Sequence, residues 1–331
     1  MHCARLAGTE AGPPRIYVYS PSGAVRDKAG FRRGLKRLKA LPGVVEVDAD
    51  ALTQAQRFAG DDAARVAAIG RAAASGADLA LISRGGYGLT RILHLLDYEA
   101  LHAAVTRRGT QFVGHSDFTA LQLALLARRG TLTWAGPALA SDLGAEEPDE
   151  VMLACFEDVL RGQSEGTGWR LPAADLRYID QLPAEVAERP VRDAVLWGGN
   201  LAMVCALLGT PYFPAIDGGV LFLEDVGEHP YRIERMLTQL LLAGVLQRQA
   251  AVLLGGFTSF KLTPHDKGFK LQSVIDGLRA RLPHTPVLTG LPFGHVPTKV
   301  MLPVGARVTL EVAGRDAMLF WGHLGHEHVR G

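Results

Sequence analysis

Thr110-Gln-Phe-Val-Gly-His-Ser-Asp-Phe-Thr-Ala-Leu121 is the stretch on which the fold of this chain turns. Gln111-Phe112-Val113 has strand character, Gly114 breaks it, and an apolar helical run continues over residues 121–126. Ser116 therefore stands at a strand-to-helix corner, its hydroxyl pushed out of the turn beside the first free N–H groups of the helix. Those donors and the helix dipole favour negative charge nearby. A nucleophile elbow is built in this way, with the N–H after the serine serving an oxyanion hole. The second glycine of the G-x-S-x-G pattern is missing, because Phe118 occupies its place. The plainer alternative is an ordinary helix start, for which Ser and Asp are both good N-caps.

Upstream of this corner, strands alternate with helices. Arg15-Ile-Tyr-Val-Tyr-Ser20 reads as a first strand, residues 29–41 as a helix with Phe31, Leu35 and Leu38 on one face, and residues 44–47 as a second strand. The loop Arg57-Phe-Ala-Gly-Asp-Asp62 leads acids into a helix over 63–74, where negative charge is favoured. Asp78-Leu-Ala-Leu-Ile-Ser83 is a third, apolar strand that ends in Arg84-Gly-Gly-Tyr-Gly88, and a helix containing Arg91, Leu93 and Leu96 is expected to follow. Near-continuous apolar strands separated by helices indicate a parallel α/β sheet, whose ligands sit at the carboxyl ends of its strands. Arg84–Gly88 and His115-Ser116 both fall at such ends.

Downstream the pattern is irregular from Gly136 to about Pro190, with a helix near 150–160 and a Gly/Ser-rich connection over 162–168. These features predict an N-terminal domain over 13–145, a connecting segment over 146–190, a C-terminal domain over 191–322 and a tail over 323–331. The second unit opens at Val195-Leu-Trp-Gly-Gly-Asn200 and an apolar helix through Leu208. A buried strand over 219–223 ends in Glu224-Asp225, and a helix with Pro230 in its first turn follows. Further strands are expected at 251–254, 286–289, 307–312 and 318–321, with Gly290-Leu-Pro-Phe-Gly-His295 after the second of them.

Composition narrows the function classes. With 331 residues, 48% hydrophobic and 21% charged, the chain is long enough for two domains and reads as globular. A formal net charge of +1 gives no electrostatic reason to expect nucleic acid or an anionic membrane as partner. Cys3, Cys155 and Cys205 lack metal-type spacing, and no signal-peptide pattern or 18-residue apolar run is present. A cytoplasmic protein is expected.

Three apolar segments thus end in a reactive residue: Ser116, Glu224 and His295. Taken singly, the glutamate reads as a loop residue or an N-cap, and the histidine as structural. Their order matches that of α/β-hydrolases, and a serine hydrolase needs these types: nucleophile, base, and a carboxylate fixing the imidazole tautomer.

Phe58-Ala-Gly-Asp-Asp-Ala-Ala-Arg65, Arg84–Gly88 with Arg91, Gly114-His-Ser-Asp-Phe-Thr-Ala120, Gly136-Pro…Ala140-Ser-Asp142, Trp197-Gly-Gly-Asn-Leu201, Leu223-Glu-Asp-Val-Gly-Glu228 and Phe293-Gly-His295 together resemble the LD-carboxypeptidase family of serine peptidases. The resemblance runs from about Arg15 to Val312. It implies Ser116 as nucleophile, His295 as general acid/base and Glu224 as its orienting carboxylate. For the oxyanion it implies donors from the Gly-rich loop, Gly86 being favoured, and from the N–H of Asp117. It also implies a glutamine-amidotransferase-like N-terminal domain joined to a swivelling β-rich C-terminal domain, as a homodimer without cofactor. The substrate implied is a murein tetrapeptide, cut at its L,D bond to release D-alanine. Arg84 is then a candidate for binding the terminal carboxylate, or else part of a structural ion pair.

Other readings remain beside this one. A relative of the microcin-immunity type would cleave acyl-nucleotide-like toxins, and a catalytically silent ligand-binding protein could share the fold. A kinase-like phosphate loop at Arg84–Gly88 is disfavoured because Tyr87 replaces the acidic residue and no Walker lysine follows. His323, His326 and His328 resemble a metal cluster, but at a chain end they read as a solvated tail, so no metal is expected. Trp197 and Asn200 either line the cleft or are a packed indole and a turn residue.

Overall fold

The structure, a computed structural model, describes residues 12–187 and 189–324. The first sheet is built from β1 (Arg15–Tyr19), β2 (Val44–Val47), β3 (Leu79–Ile82), β4 (Gln111–Gly114) and β5 (Thr133–Ala135). These pair in parallel in the order β5-β4-β3-β1-β2. Helices α1 (Lys28–Leu38), α2 (Asp62–Ala74), α3 (Tyr98–Arg108) and α4 (Thr119–Arg129) make the crossovers, and α5 (Glu150–Leu160) follows β5. Val18, Leu81 and Val113 are fully buried, as expected of strands covered on both faces. The chain runs outward from β1 to β2 and then returns to β3 on the other side. The switch point therefore lies between β1 and β3, where open α/β sheets bind their ligands.

The second sheet begins with β6 (Gly166–Arg170), followed by α6 (Ala173–Ile179) and α7 (Ala184–Ala187). Then come β7 (Val191–Asn200), α8 (Leu201–Leu207), β8 (Val220–Val226), α9 (Pro230–Leu242), β9 (Ala251–Thr258), α10 (Leu271–Arg281) and β10 (Val287–Thr289). The chain closes with β11 (Leu302–Val304), β12 (Arg307–Ala313) and β13 (Asp316–Phe320). This sheet has the order β10-β9-β8-β7-β12-β13-β6, parallel over its first four strands and antiparallel over the rest. The fold is mixed α/β with two sheets. Strand β11 crosses back to pair antiparallel with β5 on the first sheet, and Pro303 is tolerated there because β11 is an edge.

Several local expectations are corrected. No α-helix carries Arg91, Leu93 and Leu96: two short 3-10 turns, Leu89–Arg91 and Leu93–Leu95, wrap that segment against the core, and Asp97 then caps α3 through the Ala100 N–H. The Gly/Ser-rich connection is partly strand, since β6 is fixed by its partner β13 (Trp169 opposite Ala317) rather than by any pattern of its own. Glu224 and Asp225 lie within β8, which continues past Leu223 through a register shift against β9.

Candidate active site

At the end of β4 the backbone turns sharply, and Ser116 is held at φ 65°, in the left-handed region. That conformation is uncommon outside glycine and is typical of a strained elbow. A 3-10 turn over Ser116–Phe118 precedes α4, and neither helix start has a side-chain cap. The capping alternative is therefore not what the serine and aspartate do. Asp117 instead turns back beneath the loop, where its Oδ2 accepts from Ser22 Oγ and, at 3.0 Å, from the Leu89 N–H. Burial raises its pKa, and these bonds partly offset the rise. Gly85 lies against the serine: a side-chain carbon there would come 2.8 Å from Ser116 Cβ, so only glycine fits. The N–H groups of Gly86 and Asp117 donate to no backbone carbonyl among the described residues.

The second sheet contributes a carboxylate and an imidazole. Glu224, on β8, is fully buried, and its Oε2 lies 2.7 Å from His295 Nδ1. With Nδ1 carrying the proton toward the carboxylate, Nε2 is the free, basic nitrogen. Gly294 at φ 126° allows this approach, since a side-chain carbon there would meet Glu224 Oε2 at 3.0 Å. Asn200 Nδ2 donates to Glu224 Oε1 at 3.2 Å and to Asp225 Oδ1 at 2.9 Å. Burial, against opposing hydrogen bonds, pushes the Asp225 carboxyl up to about 6.

The two halves meet around these groups. The rings of His115 and His295 stand edge to face with centroids 5.0 Å apart, which brings the His295 imidazole beside the residue preceding Ser116. Thr119 Oγ1 accepts from the Asn200 N–H at 3.1 Å. Behind His115, the fully buried Lys299 donates to Asp142 Oδ1 at 2.7 Å, and Asp142 Oδ2 lies 3.8 Å from His115 Nδ1. Burial, helped by the Lys299 charge, lowers the His115 pKa to about 3, so this imidazole is neutral in working conditions. Burial works against ionisation of Asp142, yet its carboxyl is held below the usual range by the imidazole and the Lys299 ammonium. With His115 uncharged near neutrality, the ammonium is the partner that counts. His295 bonds to Glu224 through its ring and to Thr258 through its carbonyl; no hydrogen bond joins it to Ser116 Oγ. Loose nucleophile–base geometry is common before substrate binds.

The remaining candidates divide. Arg84 is half-buried, and its Nη1 donates to the Ala24 carbonyl at 2.9 Å; no carboxylate pairs with it among the described residues. Trp197 is a packed indole, fully buried against Phe213 and bonded to Gln249 Oε1, so it does not line the cleft. Asn200 caps α8 and also ties the two acids of β8 together. His323 lies 3.6 Å from Glu165, whereas His326 and His328 fall outside the described residues. Among the described residues, no cluster of three or more His, Cys, Asp or Glu side chains is placed to hold a metal.

Comparison with known proteins places the chain in a family. A family model described as the LD-carboxypeptidase N-terminal domain matches residues 16–136, and one for the LD-carboxypeptidase C-terminal domain matches residues 193–310. The chain belongs to the LD-carboxypeptidase family. Within that family it is 32% identical over 235 residues to the murein tetrapeptide carboxypeptidase of Pseudomonas aeruginosa, covering 69% of this chain and 70% of that one. The crystal structure of muramoyltetrapeptide carboxypeptidase from Oxalobacter formigenes superposes with a TM-score of 0.80 at 37% identity, covering 93% of this chain and 98% of that one. The microcin C7 self-immunity protein MccF of Escherichia coli is 26% identical over 73% of this chain and 74% of its own. Ser116 lies inside the N-terminal match, and Glu224 and His295 lie inside the C-terminal one. The Ser22–Asp117, Thr119–Asn200 and His115–Asp142–Lys299 contacts were not anticipated. Asp117, Thr119, Asp142 and Asn200 lie inside the quoted motifs, but Lys299, four residues after His295, carried no signal of its own.

Proposed function

We propose that this LD-carboxypeptidase is a serine-type enzyme that removes the terminal D-alanine from murein tetrapeptides. The observation that carries the reading is a strained Ser116 beside a histidine whose Nδ1 faces a buried glutamate. Ser116 Oγ attacks the carbonyl carbon of the L,D peptide bond, and its proton passes to His295 Nε2. The N–H groups of Gly86 and Asp117 hold the resulting oxyanion, while Glu224 stabilises the imidazolium. His295 then protonates the leaving amine, D-alanine departs, and an acyl-enzyme remains. Water, deprotonated by His295, releases the shortened peptide and restores Ser116. Arg84 binds the terminal carboxylate, for which a guanidinium is the strongest partner. We further assign the enzyme to the cytoplasm, where it works without cofactor on turnover peptides, as a homodimer. Each protomer pairs a glutamine-amidotransferase-like N-terminal domain with a swivelling C-terminal one. No helix among the described residues is long and apolar enough to cross a membrane.

The test is incubation with free and C-terminally amidated tetrapeptide, pentapeptide, and an aminoacyl nucleotide analogue, followed by mass spectrometry. Loss of one alanine from the free tetrapeptide alone is expected. Cleavage of the nucleotide analogue in its place would assign the chain to the microcin-immunity activity. Equal cleavage of amidated and free tetrapeptide would remove the role given to Arg84.

A further inference from the structure

The motif Phe58-Ala-Gly-Asp-Asp-Ala-Ala-Arg65 supplies no reacting group, yet its arginine reaches the loop that borders Ser116. Arg65 is fully buried, and its Nη1 donates to the Gly88 carbonyl at 2.8 Å. The N–H of the same peptide bond, that of Leu89, donates to Asp117 Oδ2 at 3.0 Å. The Gly88–Leu89 peptide is therefore gripped at both of its polar atoms, by a buried guanidinium and a buried carboxyl. Both grips are themselves held. Arg65 Nη2 bonds to Asp62, which Arg91 also pairs at 2.9 Å, and the Phe58 ring lies against both guanidiniums, its centroid 4.8 and 4.9 Å away. Asp117 Oδ2 accepts a second bond from Ser22 Oγ. Gly88 has φ 147°, and a side-chain carbon there would come 2.5 Å from Arg65 Nη1, so the backbone and the arginine's passage both demand glycine.

Upstream, the loop is anchored at Ser83, whose N–H donates to the Tyr19 carbonyl at 2.7 Å, and at Gly85, whose carbonyl accepts from the Gly23 N–H at 3.2 Å. Between that anchor and Gly88 stand only Gly86 and Tyr87. Gly86, at φ 116°, carries one of the two oxyanion donors, and a glycine has wide conformational freedom. The direction of its N–H is therefore set by the anchors on either side. Asp117 supplies the other donor through its backbone and grips the loop through its side chain, so one residue spaces the two donors. We propose that the side chains of Arg65 and Asp117 are positioning residues of the oxyanion hole, holding the Gly88–Leu89 peptide so that the Gly86 N–H stays aimed at the oxyanion. Both act from beneath the loop, through its backbone, and neither reacts. The proposal rests on the serine-peptidase reading above and adds to it the side chains on which transition-state binding depends.

The experiment measures kcat and KM of the full-length enzyme on the free tetrapeptide. It also measures inhibition by a peptide boronic acid, with boron in place of the scissile carbonyl carbon, whose adduct with Ser116 puts an oxygen in the oxyanion hole. Arg65→Met should lower kcat by about 10- to 100-fold, leave KM within about twofold, and weaken the boronate by the same factor as kcat. Arg65→Lys keeps a donor for the Gly88 carbonyl and should recover kcat to within about fivefold of wild type. Asp117→Ala should match Arg65→Met, and the two together should lose little more than either alone, because both act on one peptide bond. Asp62 is only partly buried, so Asp62→Asn loosens Arg65 without emptying its site. There kcat and boronate affinity should fall together by about three- to tenfold, which keeps the test open if Arg65→Met does not fold. A merely structural role would lower the melting temperature and leave boronate affinity unchanged. That result, or kcat within about twofold of wild type in folded Arg65→Met and Asp62→Asn, overturns the positioning role while the serine-peptidase reading stands. A wild type that neither cleaves the tetrapeptide nor binds the boronate overturns that reading, and the positioning role with it.

Discussion

Ser116 shows what single positions decide. Its φ of 65° is held by a turn that buries Asp117 on one side and presses Gly85 on the other. Replacing the hydroxyl leaves that packing in place, so Ser116→Ala should fold normally and lose about 10³-fold or more in kcat. Near-normal turnover in a folded variant would end the serine-peptidase reading. Glu224→Gln keeps shape but removes the charge that favours the imidazolium, and kcat should fall by about 10²-fold or more with little change in KM. Full activity would point to another orienting group. The corner at Ser116 was legible because Gly114 ends an apolar run and a helix resumes at once. The left-handed backbone was not, since non-glycine residues give no local sign of it. Nor was the destination of Asp117: a serine at 22 and an amide at 89 come to it only through the sheet.

Elements place charges that no single stretch reveals. The segment after β10 carries Lys299 to Asp142, which sits in a π-helical turn after β5, and the pair backs His115 at the end of β4. An unfolded histidine takes up its proton near pH 6.5, but buried His115 does so only at about 3. Between those values the unfolded chain binds more protons, and stability falls by about 1.4 kcal/mol per pH unit as pH drops. His115→Phe removes that term. Going from pH 7 to pH 5, its stability relative to wild type should improve by about 2 kcal/mol in urea titrations. A constant difference would show that His115 takes up its proton over the same pH range folded as unfolded. Lys299→Met leaves a buried carboxylate without its cation and should cost about 3–5 kcal/mol, part of it recovered in Lys299→Met/Asp142→Asn. A loss below about 0.5 kcal/mol would mean that the pair carries no weight. Most strands and helices were legible from apolar runs and turn residues. The exceptions, β6 and the turns around Leu89 and Leu93, are set by partners distant in sequence, to which periodicity is blind.

For the whole molecule, the reactive groups are divided: Ser116 follows a strand of the first sheet, while Glu224 and His295 belong to the second. Several bonds cross between the halves. Asn200 donates to Thr119, Lys299 to Asp142 and Thr298 Oγ1 to Asp149 at 2.7 Å, while β11 extends the first sheet from the far end of the chain. Trp134 on β5 and Trp321 after β13 pack edge to face at 6.0 Å, and Trp321 Nε1 donates to the Ser164 carbonyl. Both indoles are more than nine-tenths buried. With this much shared surface, neither sheet keeps its core once the other is lost. Unfolding should therefore be one cooperative event, with indole fluorescence, far-UV circular dichroism and activity lost at one denaturant midpoint. Trp321→Ala opens a cavity against Trp134 and leaves the Ser164 carbonyl unpaired, at a cost of about 3–5 kcal/mol. That cost should lower the common midpoint without splitting it. Separate transitions, with activity vanishing at the first while half of the helical signal persists, would mean that the sheets fold independently and that the site is assembled by docking.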